Sequence, residues 1–167
     1  MSGHASGMSE SPEDLLRRAG CSERVIGHCR AVCAVALSFS QSPVVDRELV
    51  REGAMLHDIG RSRSHSIAHA QEGARILRQM GIREEVVRVA ERHIGAGLTA
   101  DECSLLGLLP RDSLPRTLEE QIVANADNLV QGQHESSLVR LLQEGIHLRR
   151  RLRYRHYRLW IRMEAFR

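Results

Sequence analysis

Five stretches of this chain carry apolar residues at helical spacing, and each stripe includes one histidine or aspartate where an aliphatic side chain would normally stand. Val25, His28, Val32, Val35 and Phe39 share the first face, and Val50, Ala54 and His57 the second. The third joins His69, Gly73, Ile76 and Met80, and the fourth Val86, Val89, Ala90 and His93. Val123, Asp127 and Val130 form the last. One histidine on such a face is an ordinary core residue; four on separate helices, together with an aspartate, are not explained that way. An ionised carboxylate among apolar neighbours is costly unless it is paired or holds a cation. The chain has no lysine, and no arginine lies one turn from Asp127 on its helix. Inward-facing imidazoles and carboxylates on separate helices are how helical bundles build metal sites.

Local signals agree with a bundle. Ser11-Pro12-Glu13-Asp14 combines a cap, a proline at the first position and acids at the positive end of the helix dipole. That short helix ends at Gly20, and Ser22 caps a longer one over about residues 23–41. Ser42-Pro43 breaks the chain, Asp46 caps a helix over about 47–58, and Gly60 stops it. Helices over about 67–80, 83–94 and 100–107 follow, then a loop from Leu109-Pro110 to Pro115. Thr117-Leu118-Glu119-Glu120 is a capping box opening a helix over 118–130. A last helix covers about 135–163, continuous or bent near Gly145. With no strand-like alternation and no internal repeat, the expected fold is a compact all-α bundle of about six to eight helices. Residues 1–10 are small and polar and read as disordered, residues 11–133 as the domain, and residues 134–167 as an Arg-rich C-terminal helix packed on the domain or on a partner subunit.

A chain of 167 residues has room for one real core, which must be aliphatic because aromatics make up only 3% of it. All 24 basic residues are arginines, so any phosphate here must be gripped by guanidinium. The net charge of +3 hides an asymmetry: residues 149–167 hold eight arginines and a single acid, Glu164, while the remainder is mildly acidic. Cys21, Cys29, Cys33 and Cys103 make no CxxC pair and read as small core residues of a reducing cytosol. No apolar run is long enough to span a membrane and no signal core opens the chain, so it reads as cytoplasmic.

The order His28, His57-Asp58, Asp127 resembles the H…HD…D pattern of HD-domain metal-dependent phosphohydrolases. His69-Ala70-Gln71-Glu72-Gly73-Ala74 and Ala90-Glu91-Arg92-His93 are similar to the added histidine motifs of relatives with two metals. Ile122 to Asn128 is similar to that superfamily's final ligand helix. The resemblance runs over roughly residues 25–130, and more narrowly the chain looks like the small stand-alone HD proteins common in archaea. Two departures stand out: Ile94 follows His93 where several relatives carry a polar residue, and the GYP signature of cyclic-di-GMP phosphodiesterases is absent. A third metal and that substrate are therefore not expected.

The resemblance implies one or two divalent ions, of iron, manganese, nickel, cobalt, zinc or magnesium. His28, His57, Asp58 and Asp127 would hold the first, and His69 and His93 the second, with Asp58 bridging. It also implies hydrolysis of a phosphomonoester or phosphodiester in a nucleotide or similar small phosphorylated compound, with His57 and Asp58 at the reacting centre. Arg61, Arg63 and His65, in the loop after the HD pair, are candidates to grip the substrate phosphate, and His65 to protonate the leaving group. Two other readings stand beside this one: an RNA-binding module with a structural metal, and a di-iron oxygenase on a similar scaffold. The basic stretch 149–162, with Tyr154, Tyr157 and Trp160 among its arginines, suits RNA. It suits equally a helix docked on the body or a homodimer contact. His134, His147 and His156 read as surface or packing residues.

Overall fold

The computed structural model describes residues 10–167. The disorder expected of residues 1–10, and His4 with it, therefore lies outside the described residues except at Glu10. Nine α-helices, a 3-10 turn and one two-residue hairpin make up the described chain. They are α1 Pro12–Ala19, α2 Glu23–Ser38, α3 Arg47–Leu56, α4 His69–Gln79, α5 Glu84–Arg92 and α6 Ala100–Leu105, followed by α7 Leu118–Leu129, α8 Leu138–Gly145 and α9 Arg150–Glu164. The 3-10 turn, Ile59–Ser62, follows α3, and β1 Val130–Gln131 pairs antiparallel with β2 His134–Glu135 directly after α7. The all-α class is as the sequence predicts. The last predicted helix takes the second of its two expected forms, breaking after Gly145 into α8 and α9, which brings the count to nine among the described residues.

The caps explain where the helices start. Ser11, Ser22 and Asp46 each accept the backbone N–H three residues on. Thr117 and Glu120 form the reciprocal capping box at the head of α7. Glu120 is buried, and its carboxylate also takes both of its oxygens to Arg92 on α5 at 2.9 Å, tying α7 to α5.

The core is aliphatic, as composition requires. α2 packs on α3 and α7, α3 on α5 and α7, and α4 on α5 and the 3-10 turn. Ile26 and Val32 of α2, Phe39 just after it, Val50 and Leu56 of α3, Leu77 of α4, Val86 of α5 and Ile122 and Leu129 of α7 are fully or almost fully buried. Fully burying one such side chain contributes about 1.5–3 kcal/mol. Gly53 lets α3 approach α5 closely, since a Cβ there would meet Val89 at 2.9 Å. α8 and α9 fold back on each other around Gly145, whose missing side chain leaves space for Tyr157 and Trp160. The result places α2, α3, the 3-10 turn, α4, α5 and α7 around a cluster of imidazoles and carboxylates in a largely aliphatic interior.

Candidate metal centre

Each imidazole in that interior is oriented by the backbone. His57 sits at the C-terminal end of α3 and its Nδ1 lies 2.7 Å from the Ala54 carbonyl oxygen. His93, at the end of α5, is placed the same way on Ala90, and His69, at the start of α4, on Ser66, each at 2.7 Å. His28, mid-way along α2, reaches Gly132 in the hairpin turn, again at 2.7 Å. A carbonyl only accepts, so in all four rings Nδ1 carries a proton and Nε2 is the nitrogen whose lone pair a cation or a proton can take.

Those lone pairs converge. His28 Nε2 and Asp127 Oδ1 are 2.9 Å apart, and His69 Nε2 and His93 Nε2 are 3.1 Å apart. Asp58 is 2% exposed and stands between the two pairs. Its Oδ1 faces His69 at 3.0 Å and His93 at 3.6 Å; its Oδ2 faces His28 and His57, each at 3.8 Å. His57 Nε2 is also 3.4 Å from Asp127 Oδ1. His28, His57 and Asp127, and again His57, Asp58 and His93, present ligand atoms within 4.8 Å of one another.

Acceptors this close repel unless something positive lies among them. His57 Nε2 and Asp58 Oδ1 are buried with no hydrogen-bond partner. Neutral imidazole nitrogen with carboxylate oxygen is the donor set of first-row divalent metals and, on its oxygen side, magnesium. The residues fit such an ion.

Protons are the competing counter-ions. Burial is the largest single influence on the His57 imidazole and pushes it down, but Asp58, Cys29 and Asp127 around it together outweigh this and hold it well above the ordinary histidine range. Burial likewise pushes Asp58 and Asp127 up. The imidazoles around them prevail and hold both far below the usual carboxylate range: the charge on His57 leads for Asp58, and hydrogen bonds from His28 and His57 lead for Asp127. His93 is lowered, chiefly by burial. The sign of each follows: raised His57 stabilises the metal-free fold below its unfolded value and loses that contribution as pH rises through the folded one. Lowered Asp58 and Asp127 stabilise it above their unfolded values and lose that as pH falls. Metal binding at neutral pH should therefore expel a proton from His57, making the calorimetric binding enthalpy vary with the ionisation enthalpy of the buffer. An enthalpy indifferent to buffer would contradict this.

A cleft of about 760 Å³ opens onto the cluster, lined by His28, Asp58, Arg61 and His65 together with Ser22, Arg24, Val25 and the hairpin residues Gly132, Gln133 and His134. Arg61 is tied to the centre, its Nε donating to Asp58 Oδ2 at 2.5 Å. His65 is exposed at the rim. Arg63 is placed elsewhere, in a separate depression with Arg18 and Arg75. Arg24, which the sequence reading passed over, lies one turn before His28 on α2 and so shares its face; that four-residue spacing was the available signal. His134 and Gln133 also line the cleft, although His134 reads from sequence as a surface residue. On the far side, Asn128 donates to the Gly95 carbonyl at 2.8 Å and Arg155 to the Gly97 carbonyl at 3.1 Å. α7 and α9 thereby fix the loop that follows His93.

Residues 25–131 match the family described as HD domain. The chain belongs to the HD-domain family. It is 54% identical over 117 residues to an uncharacterized protein of Methanocaldococcus jannaschii, covering 67% of this chain and 69% of that protein. It is also 46% identical over 119 residues to the tRNA (cytidine(56)-2'-O)-methyltransferase of Thermoplasma volcanium, covering 71% of this chain but 35% of the enzyme. A further similarity, 35% identity over 81 residues, is to ribonuclease Y of Acidothermus cellulolyticus, covering 47% of this chain and 16% of that protein. In those two enzymes the HD-like segment is one part of a longer chain. Among solved structures, the HD domain of the L. monocytogenes phosphodiesterase PgpH superposes with a TM-score of 0.56 at 17% identity, covering 90% of this chain and 97% of that one. The same domain in complex with cyclic-di-AMP gives 0.57 at 16% identity. These two likenesses establish the HD fold. No described helix of this HD-domain chain is long and apolar enough to cross a membrane.

Proposed function

We propose that this protein is a metal-dependent phosphohydrolase cleaving a phosphoester of a nucleotide or similar small phosphorylated compound. The observation that carries the reading is the placement of Asp58, one oxygen toward His69 and His93 and the other toward His28 and His57, at the floor of an open, arginine-lined cleft. One or two divalent ions held there would supply Lewis-acid activation of water and offset charge on the phosphoryl oxygens. His28, His57, Asp58 and Asp127 serve as the first ion's ligands in this reading, and His69 and His93 as the second's.

The remaining work falls to the chain's own side chains. Arg61, held by Asp58, presents its guanidinium to a phosphate at the centre. Arg24 has no carboxylate partner among the described residues and stands free to bind a phosphoryl or second anionic group. His65 at the rim is placed to give a proton to the departing oxygen. Arg63 takes no part in this reading, because it lies outside the cleft. The phosphodiesterase identity of the PgpH domain and the ribonuclease identity of ribonuclease Y support a phosphodiester among the substrates.

Phosphate or nucleotide release from a panel of mono- and diesters, with manganese, iron, nickel, cobalt, zinc or magnesium added, tests the proposal. Turnover that depends on metal is expected, and Arg24→Ala should raise KM about tenfold with kcat nearly unchanged, as loss of a uniform binding contact does. Oxygen uptake by the iron-loaded protein with no phosphoester cleaved would favour the oxygenase reading instead.

A further inference from the structure

Outside the cleft, the arginines of α9 form a surface that the hydrolase reading leaves unused. Fifteen of the chain's arginines reach a carboxylate in a salt bridge, among them Arg17, Arg30, Arg78 and Arg92. The arginines without one are not spread evenly. Of these nine, Arg24, Arg47 and Arg63 lie elsewhere, while six, Arg149, Arg150, Arg151, Arg153, Arg158 and Arg162, belong to α9 or are the residue before it. A merely solvated basic face would be expected to show the same pairing as the rest of the surface; this one is left uncompensated.

The helix is amphipathic in a way that concentrates this charge. Leu159, Trp160 and Met163 are buried against the body, and Arg155 and His156 face the loop after His93. Arg151, Tyr154, Arg158 and Arg162 follow at intervals of three and four, all exposed, along a stripe of about 16 Å. Tyr154 is 61% exposed, and the Arg158 guanidinium stacks on its ring at 5.6 Å. Arg150, Arg151, Arg153, Tyr154 and Tyr157 surround a shallow depression of about 490 Å³. Uncompensated guanidinium groups beside an open aromatic ring match a ligand with a repeating anionic backbone and flat faces to stack.

We propose that this face of α9 binds single-stranded nucleic acid, independently of the metal centre. An acidic surface of a second copy would satisfy the charge but gives exposed Tyr154 nothing to do.

The test is anisotropy of a fluorescein-labelled single-stranded RNA dodecamer titrated with the full chain. Saturable binding is expected, weakening with salt. The triple variant Arg151→Glu, Arg158→Glu, Arg162→Glu should bind at least tenfold more weakly, with the slope of log affinity on log salt reduced by about 2. Tyr154→Ala should weaken binding about tenfold, and Tyr154→Phe should restore it. All four positions are exposed, so circular dichroism and hydrolysis of a small phosphoester should be unchanged, which separates failure here from failure of the hydrolase reading. Equal binding by the triple variant overturns the proposal. So does binding to heparin as tight as to RNA with no effect of Tyr154→Ala, which would mark a general polyanion face. A dimer that the charge reversals split, without RNA binding by the parent, would assign the face to a second copy and overturn it too.

Discussion

Asp58→Asn is expected to abolish phosphoester hydrolysis, by at least about 10³-fold, and to leave the purified protein with less bound metal. The substitution keeps the volume of the side chain but removes its charge and turns one of its two acceptor oxygens into a donor. Asp58 is the one group close to both histidine pairs: His69 and His93 face one oxygen, His28, His57 and Arg61 the other. Its removal therefore acts on both halves of the centre at once, whereas Asp127 faces only His28 and His57. The amide also leaves the buried, protonated His57 and the half-buried Arg61 without their shared anion. A fall in stability of the metal-free protein of about 3 kcal/mol should accompany the loss of activity. Far-ultraviolet circular dichroism should still report a helical protein. Full turnover in the Asn variant would refute the bridging role.

The largest stability effect is expected at Gly60. A Cβ there would lie 1.9 Å from the His69 carbonyl oxygen and 2.5 Å from the Gly73 nitrogen, both backbone atoms of α4. Nothing in that contact can rotate away, so the 3-10 turn and α4 must separate. Gly60→Ala should cost about 3–5 kcal/mol, an overpacking penalty at the high end because the obstacle is backbone. The melting temperature should fall by roughly 10 °C. The same movement carries His69 away from Asp58, so metal affinity should drop even in protein that remains folded. Gly81→Ala is the control. Gly81 has φ of +73° but open space around its Cβ, so only the backbone strain of about 1 kcal/mol applies. Equal losses at the two positions would show that close approach of the turn to α4 is not what Gly60 provides.

Much of the centre is legible in the sequence because a buried polar group violates the apolar stripe it sits on. His28, His57, His69, His93 and Asp127 were each visible as such a violation, and the structure brings them to one place. The caps at Ser11, Ser22, Asp46 and Thr117 were legible for a local reason: side chain and N–H lie within three residues. The walls of the cleft were less so. Arg61, Arg63 and His65 look equivalent in a polar loop, but residues 59–62 form a 3-10 turn, in which each residue rotates by about a third of a circle. Arg61 then faces Asp58, while Arg63 ends beside Arg18. The hairpin that brings Gly132, Gln133 and His134 to His28 has strands of two residues, too short for any alternation to register. The sequence leaves the last helix continuous or bent near Gly145; the choice between the two rests on Tyr157 and Trp160 folding back onto Gly145, a long-range contact that the helical pattern of residues 135–163 does not encode.

Convergence of these imidazoles and carboxylates on one metal centre is tested most directly by crystals grown with manganese. Anomalous scattering at the manganese edge should place one or two ions in contact with Nε2 of His28 and His57 and with the carboxylates of Asp58 and Asp127, any second ion falling beside His69 and His93. Manganese bound only elsewhere, or no manganese at this point in crystals saturated with it, would contradict the account.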